Sequence, residues 1–309
     1  MFENVENSLW VEKWRPKNLD DYIGNQSVID KVRSFIDAND VPHLLFYGSA
    51  GTGKSTICKI IINAIDCDYI VINASDENNV ETVRTKVKNF ASTLGFKTWK
   101  IVMLDEFDYM TPNAQAILRE MMEKYSNSTR FLLTCNYVEK IIPAIQSRCQ
   151  CYNIVPPKKS DVAIRAAQIL DQEEITYTPG DIKILVDAGY PDIRKVINDC
   201  QKQSINGELK LDKQSIIESN YALKTIDILK GKKTAKESLS EIRQLFADSQ
   251  VKDYTPLYQL LYDEVDSYSN GHSAEVILKI ADYEYQSTIR VIKELSAAAL
   301  IISILEVIR

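Results

Sequence analysis

The run Gly48-Ser49-Ala50-Gly51-Thr52-Gly53-Lys54-Ser55 constrains this chain more than any other stretch. Its glycines let backbone N–H groups turn inward, and a lysine and a hydroxyl follow at fixed spacing. An apolar β-rich segment, His43 to Tyr47, precedes it and a helix-length segment follows. A strand that feeds such a loop into a helix makes an anion cradle, because the N–H groups and the positive helix end face the same point. Lys54 is then placed to reach the β and γ phosphates and Ser55 to ligate magnesium, with Gly51, Thr52, Gly53 and Thr56 around them. A glycine turn without a ligand is the bland alternative, and the strand-to-helix context argues against it.

From His43 to about Val155, short apolar runs alternate with helical segments, the signature of a parallel sheet flanked by helices. The pattern predicts strands at His43 to Tyr47, Tyr69 to Asn73, Lys100 to Leu104, Arg130 to Thr134 and Cys151 to Ile154. It predicts helices at Ser55 to Ala64, Val80 to Ser92 and Asn113 to Lys124. The third run ends in Asp105 and Glu106, which puts two carboxylates at the C-terminal sheet edge beside the cradle. Asp105 is expected to hold the metal through water, and Glu106 to polarise an attacking water. Asn136 follows the fourth run, where its amide can meet the γ-phosphate or that water; a turn former is the plain alternative.

Pro156 and Pro157 end the pattern, since neither continues a ladder or a helix. Three helices are expected from Ser160 to about Ile205, with Ser160 capping the first, Pro179 starting the second and Pro191 before the third. After the polar stretch Asn206 to Lys213 the spacing is helical to the end, so the expected domains are 1–156, 157–219 and 220–309.

Composition excludes other classes. The net charge of -6 argues against general nucleic-acid coating, so any contact with nucleic acid needs a local basic surface. Six cysteines lack zinc spacing, and Cys149 with Cys151 reads as a buried thiol pair in a reducing cytoplasm. The two histidines, His43 and His272, are too few for a His-based triad or metal centre, and read as a strand-start residue and a turn. The opening MFENVENSLW carries no signal-peptide core, and Ser296 to Ile308 is short for a bilayer span, so cytoplasmic placement without a membrane is expected.

Trp10-Val11-Glu12-Lys13-Trp14-Arg15-Pro16, the glycine-rich loop, Asp105-Glu106-Phe107-Asp108, Thr134-Cys135-Asn136 and Ser147-Arg148-Cys149 occur in this order and together resemble the sliding-clamp loader ATPases. These include replication factor C small subunits and the large clamp-loader subunit of T4-like phages. Asp-Glu-Phe-Asp, in place of the Asp-Glu-Ala-Asp usual in cellular loaders, together with a short helical third domain, favours the bacteriophage branch, and with it a host cytoplasm, over a cellular or archaeal replication factor C small subunit, which stays open.

The resemblance implies an α/β AAA+ P-loop NTPase domain, a helical lid and an all-helical collar. It implies ATP and Mg2+ as cofactors, and hydrolysis of ATP to load a processivity clamp onto primer-template DNA during replication. The partners would be the sliding clamp, that DNA and other loader subunits in a hetero-pentamer of several copies of this chain with one small subunit. Val11, Glu12, Lys13, Trp14 and Ile23 would line the adenine side. Arg148 would be the arginine finger that completes a neighbour's site. Arg194 would be a second sensor on the γ-phosphate, although Pro191-Asp192 replaces the usual Gly-Asp before it. The clamp contact would lie on the lower face of the first domain, around Met110 to Asn113.

Between the second and third strands, Arg84, Lys86, Lys88, Lys97 and Lys100 stand against one acid, Glu81. Arg84 and Lys88 share a helical face, and likeness to the DNA-tracking helix adds Thr85 as a contact. Gln115 resembles a glutamine that relays DNA contact to the catalytic acid; a polar residue on an exposed turn is the plain reading. Competing functions meet specific obstacles. An unfoldase needs an aromatic-hydrophobic-glycine pore loop, which Asp76 to Trp99 lacks. A branch-migration helicase would lack Ser-Arg-Cys, and a purely structural subunit would not need Lys54, Asp105, Glu106 and Arg148 intact.

Overall fold

The computed structural model describes residues 9–211, 213–231, 233–249, 251 and 254–309. The reading of the first eight residues lies outside them. The chain divides into two compact units, one running to Ile182 and including Gly189–Leu209, the other Lys183–Ala188 with Lys210–Arg309.

In the first unit, β1 (Leu44–Tyr47), β2 (Cys67–Asn73), β3 (Trp99–Asp105), β4 (Thr129–Cys135) and β5 (Gln150–Asn153) form one sheet in the order β2-β3-β4-β1-β5. All pairs are parallel. Such strands need cover on both faces, and β1, β3 and β4 are accordingly buried along most of their length, with continuous apolar runs at their centres. Leu44 and Phe46 join Ile57 and Ile61 of the helix Lys54–Ala64 on one face, while Leu45 joins Leu118 of the helix Pro112–Lys124 on the other. Each fully buried aliphatic side chain of this kind contributes about 1.5–3 kcal/mol. β2 is an edge, and there the alternation reappears: Tyr69 and Val71 face solvent. Because β1 lies beside β4 and β4 beside β3, the loop after β1 opens next to the carboxyl ends of both, the switch point where α/β sheets bind ligands.

Four expectations are corrected. The segment from Val80 is not one regular helix; a five-residue π turn, Val83–Val87, separates Val80–Thr82 from Lys88–Ser92 and leaves both Val83 and Val87 fully buried in the core that packs on the sheet. Ser160 does not cap the helix Lys159–Gln172: extended Lys158 precedes it and the Ser160 hydroxyl turns to Asp161 Oδ1 at 3.2 Å. The polar stretch after Ile205 holds a hairpin, Ser204–Ile205 against Glu208–Leu209, whose central Asn206 and Gly207 have φ of 53° and 77°. Asn-Gly favours a turn with two left-handed residues. Finally, Cys151 is exposed and Cys149 only half-buried, because β5 is the other edge of the sheet; all six cysteines are free thiols.

The second unit is helical, with Lys213–Lys230, Ala235–Ser249, Thr255–Asp263, Ser273–Ile289 and Lys293–Ile308 as its main elements. Its core gathers Phe246, Tyr254, Leu257, Leu300 and Ile304, with the Phe246 and Tyr254 rings edge-to-face at 5.2 Å. His272 stands in a turn before the helix Ser273–Ile289. Among the described residues, no helix is long and apolar enough to cross a membrane.

Candidate nucleotide-binding and hydrolysis site

The loop after β1 has the backbone its glycines predict: Gly48, Gly51 and Gly53 all have positive φ. At Gly53, φ is 96°, and a Cβ there would come within 2.9 Å of the Tyr22 ring. Lys54 opens the following helix and is buried at 8% exposure. Its Nζ donates to the carbonyls of Gly48 at 2.9 Å and Ser49 at 2.7 Å, and to Asn136 Oδ1 at 2.8 Å. Burial pulls its pKa below the ordinary lysine value, while Cys135, Asp105 and Asp108 pull the other way.

Two strand ends complete the arrangement. Ser55 Oγ donates to Asp105 Oδ1 at 2.7 Å, and Thr134 Oγ1 donates to the same oxygen. The Thr134 hydroxyl also accepts from Glu106 N at 3.1 Å, and Glu106 has φ of 55°. A left-handed non-glycine residue costs about 1–2 kcal/mol and is held there only by its surroundings. Thr134 thus fixes both acids, a role that sequence reading missed; its signal is a hydroxyl at the next-to-last position of β4, after the apolar run Phe131 to Leu133 and beside the end of β3.

One cleft collects most of the expected residues: Gly51, Thr52, Gly53, Lys54, Ser55, Thr56, Asp105, Glu106, Asn136 and Arg194, with Val11, Trp14 and Ile23 at the apolar end beside Ile193 and Ile197. Glu12 and Lys13 do not line it. In the one-turn helix Trp10–Lys13 successive residues point in different directions: Glu12 accepts from Arg15 Nε at 3.1 Å, and Lys13 pairs with Glu173 at 3.0 Å. The arm is tied to helices of the 159–203 region, with Trp14 Nε1 donating to Glu173 at 2.6 Å, Trp10 N to Gln201 at 3.0 Å and Arg165 Nη2 to the Trp14 carbonyl at 3.0 Å. Arg165 and Tyr22 also line the cleft and were not anticipated.

Ser55 and Asp105 are hard oxygen donors already converged, as a magnesium ion sharing phosphate and water ligands requires. Among the described residues there is no cluster of three or more His, Cys, Asp or Glu that would make an all-protein metal cage.

The remaining candidates lie elsewhere. Arg148 is outside its own chain's cleft, with Nε donating to Glu123 at 2.9 Å. Gln115 is not on an exposed turn: at 1% exposure it donates to the carbonyls of Met110 at 3.0 Å and Lys140 at 3.1 Å and accepts from Ile142 N at 2.9 Å. It therefore joins the segment after Glu106 to the segment leading to Arg148.

The basic region is less charged than its count. Lys86 pairs with Glu77 at 2.6 Å, Lys97 with Asp66 at 3.8 Å, and Lys100 is buried, its Nζ donating to the Phe90 carbonyl at 2.8 Å. Arg84 and Lys88 are exposed and line a second cleft with Lys124. Thr85 is exposed as well, and its hydroxyl donates to the Glu81 carbonyl at 2.6 Å.

Residues 44–157 match the ATPase family associated with various cellular activities (AAA). They form an AAA domain. Around this AAA domain, curated relatives include the replication factor C small subunits of Sulfurisphaera tokodaii, 39% identical over 67% of this chain and 65% of that protein, and of Saccharolobus solfataricus, 40% identical over 69% and 66%. A probable replication factor C subunit 5 of Dictyostelium discoideum is 39% identical over 66% of this chain and 61% of that protein. The chain thus spans slightly less than two thirds of the length of these relatives. Among solved structures, a single-residue variant of Thermotoga maritima RuvB aligns with a TM-score of 0.57 at 13% identity, covering 76% of this chain and 88% of that one. The Thermotoga maritima RuvB Holliday junction branch migration motor gives 0.56, also at 13%. Likeness at that identity concerns the fold alone.

Proposed function

We propose that this chain is an ATP-hydrolysing subunit of a sliding-clamp loader, which opens a DNA polymerase processivity clamp and places it on primer-template DNA. The observation that carries the reading is the chain of contacts Ser55–Asp105–Thr134–Glu106 beside Lys54–Asn136. These contacts, gathered at one sheet edge, support reading Ser55 and Asp105 as a metal-binding pair, Glu106 as a water-orienting acid and Lys54 as a phosphate-facing cation. The replication factor C relatives support the loader over the other AAA machines. The chemistry is ATP hydrolysis to ADP and phosphate; Mg2+, held by Ser55 and Asp105, would supply charge neutralisation on the triphosphate.

Within this reading, Ser55 and Asp105 hold the ion and Lys54 leaves its loop carbonyls for phosphate oxygens. Glu106 orients water, Asn136 holds the γ-phosphate side, and Val11, Trp14 and Ile23 bound the base, with the backbone of Glu12 and Lys13. Arg148 serves a neighbouring copy's site, and Arg194 senses the γ-phosphate. Arg84, Thr85 and Lys88 follow DNA phosphates, and Gln115 couples that contact to Glu106.

Residues 1–156 would be the ATPase domain, 157–219 the lid and 220–309 the collar in a hetero-pentamer with one smaller companion subunit. Asp105-Glu106-Phe107-Asp108 supports a place near the T4-like phage branch. Met110 is buried at 2% exposure, so a clamp contact in that stretch would fall to Thr111, Pro112 and Asn113, which are exposed.

The test is steady-state ATPase of the purified chain with and without primed DNA, clamp and companion subunit. Stimulation that needs all three is the expected result; turnover indifferent to them would remove the loader reading.

A further inference from the structure

Asp192 lies against the phosphate loop. Gly51 has φ of +73°, and a Cβ there would sit 1.8 Å from Asp192 Oδ1 and 2.3 Å from its Cγ, so the carboxylate occupies the space that a side chain at position 51 would need. The same carboxylate starts the helix Ile193–Gln203: Asp192 is extended, with φ -83° and ψ 100°, and Oδ1 accepts from Lys195 N at 3.1 Å. Arg194 is the second residue of that helix and lines the cleft with Thr52 and Lys54.

We propose that Asp192 is a positioning residue for discrimination between nucleoside triphosphate and diphosphate. One side chain caps the helix that carries Arg194 and braces that helix on Gly51, which fixes where the guanidinium stands relative to a terminal phosphate. The proposal rests on reading Arg194 as the γ-phosphate sensor. A simpler electrostatic account makes a different forecast. A carboxylate beside an anion cradle opposes phosphate, so its removal would tighten triphosphate and diphosphate alike. The brace forecasts loss of the preference between them. Capping alone forecasts loss of helix stability with the preference intact.

Serine separates these accounts, because it caps a helix about as well as aspartate yet ends one atom short of the carboxylate oxygen that lies nearest Gly51. Affinities for ATP and ADP would be measured with magnesium on the full chain carrying Asp192→Ser, Asp192→Asn, Arg194→Ala or the Ser/Ala double change, with thermal midpoints alongside. Arg194→Ala is expected to lower the ATP-over-ADP ratio about tenfold, the factor carried by one charge-assisted hydrogen bond. Asp192→Ser should lower it by a similar factor with its midpoint retained, and Asp192→Asn, which keeps both contacts, should hold it within about twofold. The double change should fall no further than Arg194→Ala, since both act through one contact. If Arg194→Ala shifts the ratio but Asp192→Ser moves both affinities equally, or the two effects add, the brace is wrong. An unchanged ratio in Arg194→Ala overturns the sensor reading and this inference with it.

Discussion

Arg148 is held by Glu123 of its own chain, with Nε donating to Oε1 at 2.9 Å while Nη1 donates to the Ala144 carbonyl at 2.6 Å. The two side chains are 32% and 53% exposed, and such a pair contributes about 0–1 kcal/mol, so a neighbour's triphosphate can draw the guanidinium away. Arg148→Ala should therefore leave nucleotide affinity of the lone chain unchanged and lower turnover of the assembled complex by about 10³-fold or more. Turnover within a few-fold of wild type in the complex would show that this arginine completes no neighbouring site.

Glu106 is fixed by the Thr134 hydroxyl and a left-handed backbone in the cleft it shares with the glycine loop. Glu106→Gln should keep ATP and clamp binding while the assembled complex loses about 10²-fold or more in turnover. Thr134→Val removes the donor to Asp105 and the acceptor for Glu106 N together, so it should lower turnover as well as weaken metal dependence. A magnesium titration of ATPase separates the two variants.

Of the basic residues after β2, Arg84 and Lys88 are exposed while Lys86 is paired with Glu77. The log-log salt slope of DNA binding by the assembled complex should shrink by about 0.9 per chain for Lys88→Gln or Arg84→Gln, and by less for Lys86→Gln. Equal slopes for all three variants would mean that the ion pair with Glu77 does not govern phosphate contact.

His43 stands before β1, its Nδ1 accepting from Phe131 N at 3.2 Å, and burial followed by the Arg130 charge pushes its pKa down to about 4. The folded state thus binds its proton less readily than the unfolded chain, whose histidine titrates near its ordinary value of about 6.5. This contribution is complete above about pH 6.5 and is lost as pH falls towards about 4. Denaturant unfolding of wild type and His43→Gln across that window should show a shallower pH slope for the variant.

The sheet and its cradle were legible because periodicity and glycine spacing act over a few residues: each of the five strands lies within two residues of its expected position. The acids and Asn136 followed from the same logic, since strand ends share an edge. What escaped was set by long-range packing. Thr134 gains its role only through a partner on β3, and Gln115 is buried by segments up to 27 residues away. The excess of basic residues overstated the free charge because Glu77, Asp66 and the Phe90 carbonyl take up three of the five cations. The hairpin at Asn206-Gly207 carries a local turn signal, but its strands are only two residues each, too short to show alternation within a polar stretch.

The bonds from Trp10, Lys13 and Trp14 to Gln201, Glu173 and Arg165 give the cleft a jaw-like construction. Trp14 and Val11 on the arm are thereby tied to the helical region that carries Arg194, and all three line the cleft. If the arm bounds the base and Arg194 meets the last phosphate, these ties would make the two grips tighten or slacken together. A substitution at Glu173, remote from any phosphate, would loosen both ends of the nucleotide at once.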